Sequence, residues 1–448
     1  VIFNTINKQI AVVPMESNVL DQSVSSTQLT RNITLSSYFP QGTQFFYGYP
    51  AGEDSGFLNR VPPSVEELVA ARPLCCAGEN VQVIHFSATA APAIDPSLLE
   101  RLHLPCLPAS QDIILPNNID TSLKGDDRNK AVKIALQGLS APHKLVMAQP
   151  YTDQTLADLF QIDPLITSWL NNKTQMTDYL DQDAMPHRYA SYHSGTDFAA
   201  DTLDVVLPVV IKAASSSSGD GVYICQTEDD IANAQASLGK LKASIFVEQY
   251  IETIHNYGLH FGIPHDTSEP IQIIGINEQL TSPTGEFLGG IINDQQRSAK
   301  LDQTIAYLRD TVLPKVRAKG WYGIGCFDVL EDRNGNHYFI DCNFRMTGMS
   351  AYHFLRSNDI IKGAMISFGA SFNGTQQQLE NLLSPLLSQQ ASSGLQLIAL
   401  SHHDDIWSFN TALSYDTHED VFRIANALLD SGVESQALSQ IVAGQTIA

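Results

Sequence analysis

The chain has 448 residues and a formal net charge of −22, from 48 acidic residues against 26 basic ones. Hydrophobic residues make up 43% and charged residues 17%, which describes a globular chain rather than a disordered one, with room for about two to four domains. The acid excess argues against a nucleic-acid backbone or an anionic membrane as partner, yet leaves room for one small anionic ligand in a local basic pocket.

Residues 1–170 read as an α/β region. Strands are predicted at Ile10–Pro14 and Val81–Phe86, followed by a turn at Ser87–Ala90, a helix over Pro96–Leu102 and a strand at Asp112–Leu115. That alternation predicts a largely parallel sheet. Asn172–Leu180 reads as a short amphipathic helix, and Met185-Pro186 ends the segment. Val205–Lys212 and Val222–Cys225 read as a hairpin around the small-residue loop Ser215–Gly221. A helix over Glu228–Leu241 leads into a strand at Ser244–Ile251, and strands at Gly258–Ile263 and Ile271–Asn277 flank a turn at Pro264-His265-Asp266. Ile305, Leu308, Val312 and Val316, spaced by three and four, predict one helix over 301–319 that Gly320 stops. Ile324–Leu330 and Tyr338–Asp341 form a predicted hairpin about Asn334-Gly335, a strong turn signal. The tail, from about residue 376, gives a strand at Leu395–Ala399 and a helix at Glu419–Leu429.

Six cysteines (Cys75, Cys76, Cys106, Cys225, Cys326, Cys342) without a CxxC pair suggest neither a disulfide framework nor a structural zinc site. The apolar runs are too short for a membrane helix and no basic leader is read, so a cytoplasmic location is the default expectation.

The most specific constellation is Cys326-Phe327-Asp328-Val329-Leu330, then the Asn-Gly turn, then Tyr338 to Arg345. Asp341 and Asn343, two apart on a strand, share a face, and Asp328 on the adjoining strand can join them. Two carboxylates and an amide oxygen suit Mg²⁺ completed by phosphate oxygens. Acidic residues on a solvated hairpin are the competing reading, and the residues alone leave both open. Cys342 alternates to the opposite face and reads as core. Arg345 can fork onto a phosphate or carboxylate. Lys212 ends an apolar strand before Ser215–Gly221, whose Ser217, Ser218, Gly219 and Gly221 would let backbone N–H groups approach a phosphate. A flexible linker has the same composition. Glu248-Gln249-Tyr250-Ile251 ends a strand and could present backbone groups to a purine. Lys173 and Arg297 read as solvated surface residues unless they face the same cleft. His255, His260 and His265, spaced by five, suit no compact chelate, and His402-His403-Asp404-Asp405 reads as a strand end.

Taken in order, these pieces resemble the ATP-grasp superfamily over about residues 171–365. Asn172-Lys173 before Met185-Pro186 is similar to that family's first nucleotide lysine, and Val209–Lys212 with the Ser/Gly loop to its second lysine and phosphate-covering hairpin. Phe246–Ile251 is similar to the strand that holds adenine, and Gly320–Arg345 to the metal-binding end. The tail from Gly394 to Leu429 resembles pheganomycin-type peptide ligases most. Asp341 stands where the family's metal motif usually has Glu. His255-Asn256 stands where an acid usually holds the ribose, with Glu252 as the substitute.

The resemblance implies an α+β grasp fold in three parts. These are an α/β pre-grasp domain (1–170), an ATP-grasp domain (171–375, divided into 171–251 and 252–375) and a small C-terminal region (376–448). It implies ATP and Mg²⁺, with Mn²⁺ an admissible substitute, held by Lys173, Lys212, the Ser/Gly loop and Glu248–Ile251 for the nucleotide and by Asp328, Asp341 and Asn343 for the metal. Arg345 and Arg297 would hold the acyl phosphate or donor carboxylate. The implied activity joins a carboxylate to an amine, amino acid or peptide, through an acyl phosphate. A small-molecule kinase and a nucleotide-binding regulatory module are the alternatives on the same fold. Oligomeric state is open, a homodimer being common among related ligases.

Overall fold

The computed structural model describes residues 33–46, 68–69, 71–79, 81–86, 96–105, 112–115, 130–131, 133–134, 137, 144–148, 150–214, 221–282, 285–293, 298–387, 393–403 and 405–444. The strand expected at Ile10–Pro14 and the turn expected at Ser87–Ala90 lie outside them, as does Cys106.

In the first region, β1 (Thr43–Phe46), β2 (Val81–Phe86), β3 (Asp112–Leu115) and β4 (Leu145–Met147) form a parallel sheet in the order β3-β2-β1-β4. The alternation of strands and helices predicts that parallel pairing. The strands β1 and β4 were not foreseen. Lys173–Asp178 is a 3₁₀ turn rather than an amphipathic α-helix, because Asn172 caps it by accepting from Thr174 N at 3.0 Å and Tyr179 already leaves helical geometry.

A second, antiparallel sheet contains β5 (Arg188–Tyr192), β6 (Val209–Ala213), β7 (Val222–Cys225) and β8 (Ile245–Gln249) in the order β5-β8-β6-β7. The helix Glu228–Leu238 packs Ile231, Ala234 and Leu238 onto one face of it, against Val209, Ile211 and Val247. Thr227 and Asp230 cap that helix reciprocally, as a capping box does.

The third sheet is the long one. Its strands are β9 (Thr253–Ile263), β10 (Gln272–Thr281), β11 (Phe287–Ile292), β12 (Gly323–Asp332), β13 (His337–Asn343), β14 (Ala364–Asn373), β15 (Gly394–His403) and β16 (Ile406–Tyr415), with β17 (Val433–Glu434) beside β14. The order β13-β12-β9-β10-β11-β14-β16-β15 is antiparallel throughout, so the division expected at 375/376 falls between two strands of one sheet. The strand expected to end at Asn277 continues to Thr281. The single helix expected over 301–319 is two helices, Ala299–Tyr307 and Leu313–Ala318, joined by a π turn at Leu308–Val312. Pro314 is the cause: it has no N–H for the carbonyl of Asp310, four residues before it.

The core under β12 and β13 is aromatic. The Phe327 ring lies 5.5 Å from Phe339, 5.6 Å from Phe261, 5.7 Å from Phe344 and 6.3 Å from Tyr179, mostly edge-to-face. Leu308, Val312 and Val316 of the interrupted helix close this core. Phe327→Ala should therefore open a cavity in the middle of the site's support and lower stability by about 3–5 kcal/mol, read by urea unfolding.

Candidate active site

Strand alternation decides which side chains leave this core. On β12, Phe327 and Val329 enter it, while Cys326 and Asp328 face a cleft on the other side. On β13 the alternation breaks once. Asp328 pairs with Asp341 but Val329 pairs with Phe339, leaving Ile340 as the extra residue of a β-bulge. A bulge re-aims the side chain beside it. Phe339 and Cys342 both stay in the core, and Asp341 turns into the cleft with Asn343. Cys342 Sγ donates to Leu170 O at 3.2 Å and burial pushes its thiol up to about 12, so it is a core group. The turn that feeds the hairpin is held by Asp332 Oδ1, which accepts from Asn334 N and Asn336 N, each at 2.8 Å, with Gly335 in the left-handed region.

The cleft has a volume of about 570 Å³ and brings together Lys173, Lys212, Asp328, Asp341, Asn343 and Arg345. Both lysines are buried. A buried ammonium needs a partner, and each has one. Lys173 Nζ lies 3.1 Å from Asp341 Oδ1, and Lys212 pairs with the buried Glu248. Lys212 Nζ also donates to Ile340 O at 3.4 Å, at the bulge residue. Lys173 is fixed at its backbone, where its N–H donates to Ala214 O at 3.0 Å.

Other sequence-predicted residues stand apart. None of Glu248, Gln249, Tyr250 and Ile251 lines this cavity, and Glu248 is instead the partner of Lys212. Glu252 is exposed and paired with Arg333. His255 Nδ1 sits 2.9 Å from Glu278 Oε1, and Asn256 lines the cleft. Gly221 closes the β6–β7 loop in the left-handed region, its carbonyl accepting from Ala213 N at 2.9 Å. Ser217, Ser218, Gly219 and Arg297 lie outside the described residues. His402 stacks on Trp407, with ring centroids 4.0 Å apart.

Asn277 and Gln279 of the cleft escaped the sequence reading, and Asn256 and His260 were read without being placed in it. Gln279 Nε2 donates to Asp328 Oδ1 at 2.7 Å. Asn277 Oδ1 lies 3.0 Å from His260 Nε2 and 3.2 Å from His353 Nε2, all three residues being buried. Burial lowers His260 to about 4 and holds His353 well below its usual value, so both rings are neutral and can each donate one N–H to the amide oxygen.

The electrostatics of the carboxylate pair are decided by opposing causes. Burial, then the charge of Asp341, pushes Asp328 up to about 7; Lys173, Gln279 and Arg345 oppose the rise. Of these causes only the charge of Asp341 would also draw a cation; burial by itself favours the neutral carboxyl. Among the described residues no three His, Cys, Asp or Glu side chains form a cage for a metal. Two carboxylates and an amide are instead the partial oxygen shell that Mg²⁺ accepts when phosphate oxygens and water complete it.

A family profile described as "L-aspartate--L-methionine ligase, ATP grasp" matches residues 187–343. That stretch contains β6 and β7 and the whole carboxylate hairpin. Among solved structures, the ADP complex of an N5-carboxyaminoimidazole ribonucleotide synthetase superposes with TM-score 0.54 at 12% identity, over 92% of this chain and 100% of that one. The fold is ATP-grasp. A biotin carboxylase from Campylobacter jejuni, in complex with β,γ-ATP, shares the ATP-grasp fold with TM-score 0.55 at 12% identity, over 91% of this chain and 95% of its own. The 2-oxoglutarate carboxylase small subunit of Hydrogenobacter thermophilus is 24% identical over 155 residues, 32% of this chain. That match spans 30% of the curated relative's length. No helix among the described residues is long and apolar enough to cross a membrane.

The Lys212–Glu248 pair gives a direct test. Glu248→Gln leaves a buried ammonium opposite a neutral amide and should lower stability by about 3–5 kcal/mol, measured by urea unfolding. The double variant Lys212→Met/Glu248→Leu should lose less than that single change, because no charge is left stranded.

Proposed function

We propose that the chain is an ATP- and Mg²⁺-dependent ligase that joins a carboxylate to an amine, with an amino acid or peptide among its substrates. The observation that carries the reading is the convergence of Lys173, Lys212 and Arg345 with Asp328, Asp341 and Asn343 on one cleft. The amino acids named in the matched profile support the substrate class. The three-part division at about 170 and 375 belongs to the same reading.

Asp328, Asp341 and Asn343 would hold Mg²⁺, with Gln279 fixing the Asp328 carboxylate for it. When bound, the ion supplies charge neutralisation at the β- and γ-phosphates. In the first half-reaction the γ-phosphoryl group passes from ATP to a carboxylate oxygen, the bond to the β,γ-bridging oxygen breaks, and ADP leaves with an acyl phosphate formed. In the second, the amine nitrogen attacks the acyl carbon, the carbon–oxygen bond to phosphate breaks, and the amine proton leaves to solvent or phosphate. Lys173 and Lys212 stabilise charge on the transferring group, and Arg345 holds the acyl phosphate or the donor carboxylate. Arg297 and the loop carrying Ser217, Ser218 and Gly219 belong to this proposal as expectations. Glu248–Ile251 is expected to hold the base, with Glu248 acting through its tie to Lys212.

The test is phosphate release from ATP over a panel of amino acids and dipeptides, with product masses. A ligase releases phosphate and an amide whose mass is the sum of both substrates less water; a small-molecule kinase releases no phosphate. Asp341→Ala should cut turnover by about 10²-fold or more, and turnover unchanged by that substitution would sink the metal assignment.

A further inference from the structure

Arg72 belongs to the 3₁₀ turn Arg72–Cys76, far in sequence from the carboxylate hairpin. Its Nε donates to Asn410 Oδ1 at 2.7 Å, and Asn410 is buried on β16. That bond fixes one edge of the guanidinium, and its Nη1 lies close to Gly348. A Cβ placed on Gly348 would stand 3.8 Å from Arg72 Nη1 and 2.9 Å from Phe287 Cε1. Gly348 and Phe287 both line the cleft, with Arg345 and Thr347 on the same loop. The absence of a side chain at 348 therefore keeps the cleft wall thin where the guanidinium stands behind it.

The charge pattern points the same way. Arg101, Arg309, Arg333 and Arg423 each have a carboxylate within ion-pair distance. Arg72 and Arg345, like Arg188 and Arg317, form no ion pair with a carboxylate among the described residues, but of these four only Arg345 lines the cleft and only Arg72 stands against Gly348 of its wall. The anchor of Arg72 is an asparagine, which orients the fork without neutralising it. An arginine held by a neutral amide just behind the wall that carries Arg345 adds positive charge at that end of the cleft, which favours an anion there.

We propose that Arg72 is a second carboxylate-binding arm of the cleft, serving a substrate carboxylate that does not react. It rests on the ligase reading and narrows the substrate class: one of the joined molecules carries a free carboxylate beyond the groups being joined, as an amino acid or peptide does. Arg345 serves the reacting end, and Arg72, held by Asn410, recognises the spectator group by charge-assisted hydrogen bonds.

The experiment uses the full chain and the amino acid and dipeptide panel, with each productive substrate offered as free acid and as its carboxamide. Wild type should prefer one free acid by about 10- to 100-fold in KM. Arg72→Gln should raise KM for that acid by a similar factor, leave KM for its carboxamide little changed and leave nucleotide affinity intact. The substrate whose acid preference disappears is the one that docks there. Asn410→Asp, which neutralises Arg72 in place, should raise the same KM and covers the case in which Arg72→Gln fails to fold. If a folded variant raises KM equally for acid and carboxamide, or for neither, Arg72 is structural and the proposal falls alone. If wild type releases no phosphate with any pair, the ligase reading falls, and this proposal with it.

Discussion

One extra residue in a hairpin organises the cleft. Without the bulge at Ile340, strict alternation from Phe339 would bury Asp341 in the aromatic core, where an unpaired carboxylate is prohibitively costly. With it, Asp328 and Asp341 face each other across paired strands, and the bulge residue's carbonyl is within reach of Lys212. The irregularity is held from both sides. Phe327, Phe339 and Phe344 lock the strands from below, and the Asp332 turn fixes the hairpin's register at its end. A local backbone defect thus converts a core strand into the carboxylate-bearing wall of a site.

The second sheet is tied to that wall by charge rather than by apolar packing. Lys212 lies on β6 and reaches the carbonyl of Ile340 on β13, and Lys173, hydrogen-bonded through its backbone to Ala214 just after β6, reaches Asp341. Neither lysine is solvated, so their side chains are positioned by their partners rather than by the flexibility usual for exposed ammonium groups. Below the cleft, the neutral histidines His260 and His353 share the amide oxygen of Asn277, a polar arrangement that stays uncharged because burial opposes protonation.

Much of this was legible in the residues. The Asn-Gly turn gave the β12–β13 hairpin, the period-two rule gave the shared face of Asp341 and Asn343, and the apolar runs beside the Ser/Gly loop gave β6 and β7. The bulge was not legible, since nothing in Tyr-Phe-Ile-Asp marks which residue is extra. The strands β11, β14 and β16 went unread because Gly, Ser and Asn interrupt their apolar pattern; they are strands because neighbours on both sides pair them. Asn256, His260, Asn277 and Gln279 look like the solvent face of ordinary strands. Only the third dimension puts that face under a cleft. Arg72 carries no local signal at all, its neighbours Asn410 and Gly348 being more than 270 residues away.

The paired state of the two lysines bears on how the cleft meets a polyanion. A phosphate arriving at Lys173 or Lys212 does not meet a bare cation; it competes with Asp341 or Glu248 for one. Association is then an exchange of partners, and a carboxylate displaced from its lysine becomes available to a divalent cation that arrives with the phosphate. Added salt weakens the resident pairs and the new ones together. The affinity of such a site for a polyphosphate depends less on ionic strength than a count of its positive charges suggests.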